Sequence, residues 1–90
     1  MKKDFYKNLH RKLSKLTSWP TVYMFKFIVP ADNDRIREVE SLFDESVKVE
    51  RKYSTSGKYV SLTGKEVMLD PDEVIKRHEE AARIEGIISL

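Results

Sequence analysis

The 90-residue sequence contains no cysteine. That excludes a disulfide framework, a thiolate metal site and a thiol nucleophile, and it fits a reducing compartment. Histidine is almost as scarce. Only His10 and His78 occur, and neither has a second His at i+3 or i+4 to complete a metal-binding pair. Long apolar runs are missing too: the stretches Val22–Phe25 and Phe27–Val29 are far shorter than the ~20 residues of a spanning helix. Met1–Asp4 is charged and holds no apolar signal-peptide core. A soluble, cytoplasmic protein with no membrane partner is therefore expected. There is no linker, low-complexity tract or repeat beyond a β-α-β pattern occurring twice. A single domain of this length buries only ~60–65% of its unfolded surface, which leaves little room for a deep cleft.

What is present centres on Trp19–Pro30, a β-branched and aromatic stretch interrupted by one charge, Lys26. It reads as a strand buried on at least one face, with Tyr23, Phe25, Phe27 and Val29 on one side and Val22, Met24, Lys26 and Ile28 on the other. Before it, residues 3–16 place Phe5, Leu9, Leu13 and Leu16 at helical spacing opposite a basic face, with Tyr6 alongside. This N-terminal helix (1–18) is an appendage to a domain spanning 19–90. Thr17-Ser-Trp-Pro20 should end it. Lys2 and Lys3 oppose its macrodipole and should fray its start. Its apolar stripe must cover its own sheet or a partner.

After the first strand, Asp32 or Asn33 can cap a helix carrying Ile36, Val39, Leu42 and Phe43, ending near Ser46. Val47–Thr55 alternates as a charged edge strand, Ser54–Gly57 turns, and Tyr59–Val67 returns as the second arm of a hairpin. Asp70-Pro-Asp-Glu73 then has the form of a helix start, with Asp70 as cap and Pro71 in the first turn. That helix is expected to run to about Glu85, burying Val74, Ile75, His78, Ala81 and Ala82, and to stop at Gly86. Ile87–Leu90 forms a last short strand.

The order after residue 18 is β-α-β-β-α-β. A right-handed crossover sets the first strand beside the third, with the second outside and the fourth on the far side of the first. This is an α+β, ferredoxin-like arrangement: a four-stranded antiparallel sheet with two helices on one face, plus the extra N-terminal helix. Val60 and Leu62 should face the helices with Phe25 and Phe27. The open face should show Met24, Lys26, Ile28, Tyr59, Ser61 and Thr63, an apolar-centred surface that wants a cover.

Three stretches, Pro20-x-x-Tyr-x-Phe-Lys-Phe-Ile-Val-Pro30, Ser56-Gly-Lys-Tyr-Val-Ser-Leu-Thr63 and Glu73–Leu90 with its Ile84-Glu-Gly-Ile-Ile-Ser-Leu90 end, resemble the YbeD-like family of small bacterial proteins of unknown function. The resemblance covers about residues 18–90. It implies a ferredoxin-like domain similar to the regulatory ACT domains of amino-acid metabolism, and brings no catalytic residues with it. Amino-acid-binding ACT domains commonly use a glycine-bearing turn after the first strand; Val29–Asn33 here has no glycine.

No constellation for chemistry stands out. Residues 1–16 hold six Lys/Arg against Asp4, while residues 17–90 hold eleven against fourteen acids. A basic arm on an acidic body can indicate nucleic acid or a membrane surface, but such a run is more often simply the solvated face of a helix. His10 reads as solvated and His78 as a core or boundary residue. Capping explains Asp70, Asp72 and Glu73 without a hard cation. Ser54-Thr-Ser-Gly-Lys58 could cradle an anion, yet it lacks the upstream glycine and following helix of a P-loop. Single-stranded RNA needs aromatic residues on the two central strands, and Tyr59 stands alone there. No catalytic residue, metal or cofactor is assigned. The expected function is a non-catalytic regulatory or protein-interaction module that works through the open face, by self-association or by docking a protein. A metabolite-sensing domain using the Pro30–Asp34 turn and Lys26 is the alternative.

Overall fold

β1 (Thr21–Pro30) is the axis of the sheet. In the computed structural model, which describes residues 2–16 and 18–90, Phe25, Phe27 and Val29 are fully buried while the alternate residues are not. Period-two alternation in a strand with one buried face has this result. β1 pairs antiparallel along its whole length with β3 (Tyr59–Met68), from Thr21 opposite Met68 to Pro30 opposite Tyr59. β2 (Glu50–Tyr53) pairs on the outer side of β3, and β4 (Ile88–Ser89) pairs on the other side of β1 at Phe27 and Ile28. The strand order is β2-β3-β1-β4. With α1 (Lys2–Leu16), α2 (Asn33–Glu40) and α3 (Pro71–Ala81), the chain is an α+β domain, an open antiparallel sheet with three helices. It is compatible with a ferredoxin-like fold.

Two caps set the helices that close the core. Asp32 Oδ1 accepts from the Arg35 N–H at 2.8 Å and starts α2; Asp70 Oδ1 accepts from the Glu73 N–H at 2.9 Å and starts α3. Each satisfies a backbone donor that the first helical turn leaves without a partner. Ile36 and Val39 of α2 and Val74 and Ala81 of α3 then join Phe25, Phe27, Val60 and Leu62 in one cluster.

Several boundaries differ from the sequence expectation. α2 ends at Glu40 rather than near Ser46, and Leu42 and Phe43 follow in tight turns with bonds to the carbonyls of Val39 and Glu40. Leaving the helix lets the Phe43 ring drop over Gly64, whose missing side chain makes the space. β2 is four residues, not nine. Val47 and Val49 leave the ladder to pack on the core instead. β3 runs one residue further, to Met68, which is buried. α3 ends at Ala81 and β4 keeps only Ile88 and Ser89. Ala82 is exposed and Ile75 half-buried, whereas Ile84, beyond the helix, is buried. Gly86 holds φ +77°, a left-handed conformation that turns the chain back toward the sheet.

The larger correction concerns α1, which does not lie on its own sheet. It packs against α3, with Leu13 reaching the core and the His10 Nε2 2.9 Å from Asp72 Oδ1. His10 is thus both partly solvated, with its side chain 42% exposed, and partnered. Phe5, expected on the buried stripe, is 61% exposed and touches Tyr6 edge-on. The Trp19 indole N–H donates to the Leu13 carbonyl at 3.2 Å and ties the end of the helix to the start of the sheet. The predicted places of Leu16 on the stripe and Thr17 in the helix stop lie outside the described residues.

Candidate functional site

The face of the sheet turned away from the helices is built row by row from the register. Val22 stands opposite Val67, and Met24 opposite Lys65. Next come Glu50, Thr63 and Lys26 in one row, then Lys52, Ser61, Ile28 and Ile88 in another. Tyr59 opposite Pro30 closes the end. All six residues assigned from the sequence, Met24, Lys26, Ile28, Tyr59, Ser61 and Thr63, fall on this one face. α1 leaves it uncovered, and Met24 is 53%, Tyr59 49% and Ile88 52% exposed. Its floor mixes the apolar Val22, Met24, Val67, Ile28 and Ile88 with Thr63, Ser61 and the lysines.

One part of the face is concave. A shallow, open depression of about 410 Å³ is lined by Ile28, Ile88, Tyr59 and Ser61, with Lys26 and Lys52 at its sides. Its cationic groups are lysines that, like Lys48, Lys58, Lys76 and Arg83 elsewhere among the described residues, hold no carboxylate, in contrast to three of the arginines. Arg35, Arg51 and Arg77 each hold a carboxylate, Glu38, Glu40 and Glu66 respectively. Among the described residues none of Lys26, Lys52 and Lys65 does. The face therefore carries three unpaired lysines against Glu50, while residues 17–90 as a whole carry more acid than base. Lys52, Lys65, Val22, Val67 and Ile88 were not singled out from the sequence. Lys65 and Val67 continue the period-two alternation of Tyr59, Ser61 and Thr63, and Val22 that of Met24, so their signal was present; Lys52 and Ile88 are placed by pairing with Ser61 and Ile28.

The serine-rich turn is consumed by its own structure. The Tyr59 N–H donates to Ser54 Oγ at 3.1 Å, the Gly57 N–H to the Ser54 carbonyl at 2.9 Å, and Gly57 sits at φ +76°. These groups make the hairpin loop and are not arranged around an empty anion cradle.

His78 is the one buried polar residue among those described, and its Nε2 has no hydrogen-bond partner. It lies among the rings of Phe25, Phe27 and Tyr23, at 5.5, 6.0 and 6.3 Å. Burial, and then the positive charge of Arg77, push its pKa below the ordinary value, so the imidazole is kept neutral. Arg77 itself bonds Glu66 at 2.9 Å and lies over the Phe25 and Phe43 rings, 5.1 and 5.5 Å from their centres. The arrangement packs a core edge. Burial likewise raises the Tyr23 hydroxyl pKa. Among the described residues no three or more His, Asp or Glu side chains gather to hold a metal, and no helix is long and apolar enough to cross a membrane.

Comparison of the chain with family models, with curated proteins and with solved structures finds no match.

Proposed function

We propose that this chain is a non-catalytic interaction module of ferredoxin-like, ACT-like architecture, and that it works by docking another protein surface, its own copy or a different chain, on the open sheet face. The observation that carries the reading is the uncovered face itself: Val22, Met24, Val67 and Ile88 are each more than half exposed on one side of one sheet. Exposed apolar side chains gathered on one face, here in two groups on either side of the Glu50–Thr63–Lys26 row, mark contact sites in soluble domains.

A photo-crosslinking amino acid placed at Ser61, on the face, and at Arg83, beyond α3, tests this in the living host. Covalent adducts are expected at position 61 and not at 83. Equal labelling at both positions, or none at 61, refutes the reading. One observation favours metabolite sensing as a second reading: the depression sets Lys26 and Lys52 beside Ile28 and Tyr59, a pairing of cation and apolar wall that suits a small carboxylate. A thermal-shift screen should then find a stabilising acid.

A further inference from the structure

Resting on the interaction reading above, we infer that the occupant of the open face is an amphipathic helix of a partner protein whose apolar stripe is flanked by acidic residues, and not a second copy of this chain. The inference begins with charge. Lys26, Lys52 and Lys65 rise from the face without ion-pair partners among the described residues, and Glu50 is the one acidic side chain in the rows between them. A face-to-face homodimer would bring this net positive charge against itself, at the short range where screening is weakest.

The chain's own α1 behaves as a control. It is an amphipathic helix, and the uncovered sheet face is in the same molecule. Residues 1–16 are strongly basic, however, and α1 lies instead on α3, where His10 meets Asp72. A basic helix avoids the basic face. A helix of the opposite sign has both the apolar match and the charge match.

Shape narrows the partner further. From Val22 to Ile28 the strip along β1 is about 20 Å long at ~3.3 Å per strand residue, which a helix covers in about 13 residues at 1.5 Å each. Lys65 and Lys52 border the strip on the β3 and β2 side, while Ile88 borders it on the other, so the acidic flank of the helix lies toward β2. The depression at Ile28, Ile88 and Tyr59 is shallow and open to solvent. It is suited to one bulky apolar anchor side chain, the kind of contact that dominates protein interfaces.

The test uses the full chain and two synthetic 16-residue helical probes with the same leucine stripe, one flanked by glutamate and one by lysine. Binding is read by fluorescence anisotropy, and the surface by amide chemical-shift changes. The glutamate probe is expected to bind at least tenfold more tightly than the lysine probe, to shift β1 and β3 open-face signals, and to weaken as salt rises. The double variant K52E/K65E should reverse the preference between the probes while leaving the melting temperature within a few degrees. Equal affinities, an unreversed preference, shifts on the helices, or tighter binding of a single-stranded oligonucleotide at the same face overturn the inference. So does a stable dimer of the chain whose Ser61 crosslinks lead to its own copy; that result leaves the interaction reading standing. Failure of both probes with no adduct at position 61 removes the two together.

Discussion

The contact between Gly64 and Phe43 offers the sharpest test of how the core is assembled. A Cβ added at Gly64 would stand 2.6 Å from Phe43 Cε1 and 3.0 Å from Cδ1 and Cζ. Ordinary carbon–carbon contact is ~3.5–4.0 Å, so the ring or the strand must move by about 1 Å. Neither is free to do so. The Phe43 ring is held edge-on to Phe25 at 6.0 Å and tilted against Phe27 at 6.2 Å, with the Arg77 guanidinium 5.5 Å from its centre. Gly64 lies in the middle of β3, paired with β1 opposite Phe25. Two effects oppose each other in Gly64→Ala. Restricting the unfolded chain gains about 0.4–1 kcal/mol, while overpacking a full core costs about 1–3 kcal/mol. The clash wins, by about 1–2 kcal/mol. At 4–8 °C per kcal/mol for a domain of this size, the melting temperature falls by roughly 4–16 °C. Urea unfolding followed by circular dichroism measures the loss. Phe43→Leu in the Gly64→Ala background should recover at least ~1 kcal/mol relative to the sum of the two single changes. A Gly64→Ala protein as stable as the parent, or strictly additive single and double variants, would show that the ring does not rest on the glycine.

Three further outcomes follow from the same core and its caps. His78 has a folded pKa below its ordinary value near 6.5 because burial disfavours the cation, so the unfolded chain takes up a proton first as pH falls. Its contribution is complete above about pH 6.5 and is lost as pH drops from there toward the folded value; urea midpoints of the parent and His78→Leu should diverge between pH 7.5 and 5, with the variant less acid-sensitive. Asp70→Ala removes the acceptor for the Glu73 N–H and should cost about 0.5–2 kcal/mol in thermal unfolding, with Asp70→Asn close to the parent. Glu66→Leu strands the Arg77 guanidinium, which is only 13% exposed at its side chain, and should cost about 1–3 kcal/mol; calorimetry on Glu66→Leu, Arg77→Met and the double variant should show the double less destabilised than the two losses together.

The strands, the two core helices and the residues they bury were legible because their signals are local. Alternation in Tyr23–Val29 and in Tyr59–Thr63 depends on residues two apart, and the Asp70-Pro71 start depends on residues three apart. The six face residues could be named for the same reason: once two strands are neighbours, period two decides which side chains share a surface. What sequence spacing left open was everything that joins distant stretches. The resting place of α1 depends on contacts between distant residues, Leu13 with the core and His10 with Asp72 of α3, and neither surface exists until the domain is assembled. The four-residue length of β2 followed from competition, since Val47 and Val49 gain more by packing on the core than by extending a solvated ladder. Gly64 could be read as an interruption in a strand; only the assembled core shows it as the seat of Phe43. A chain written in one dimension specifies its short-range geometry directly, but contacts between far-apart residues are chosen among competing partners, and that choice is made by the packed whole.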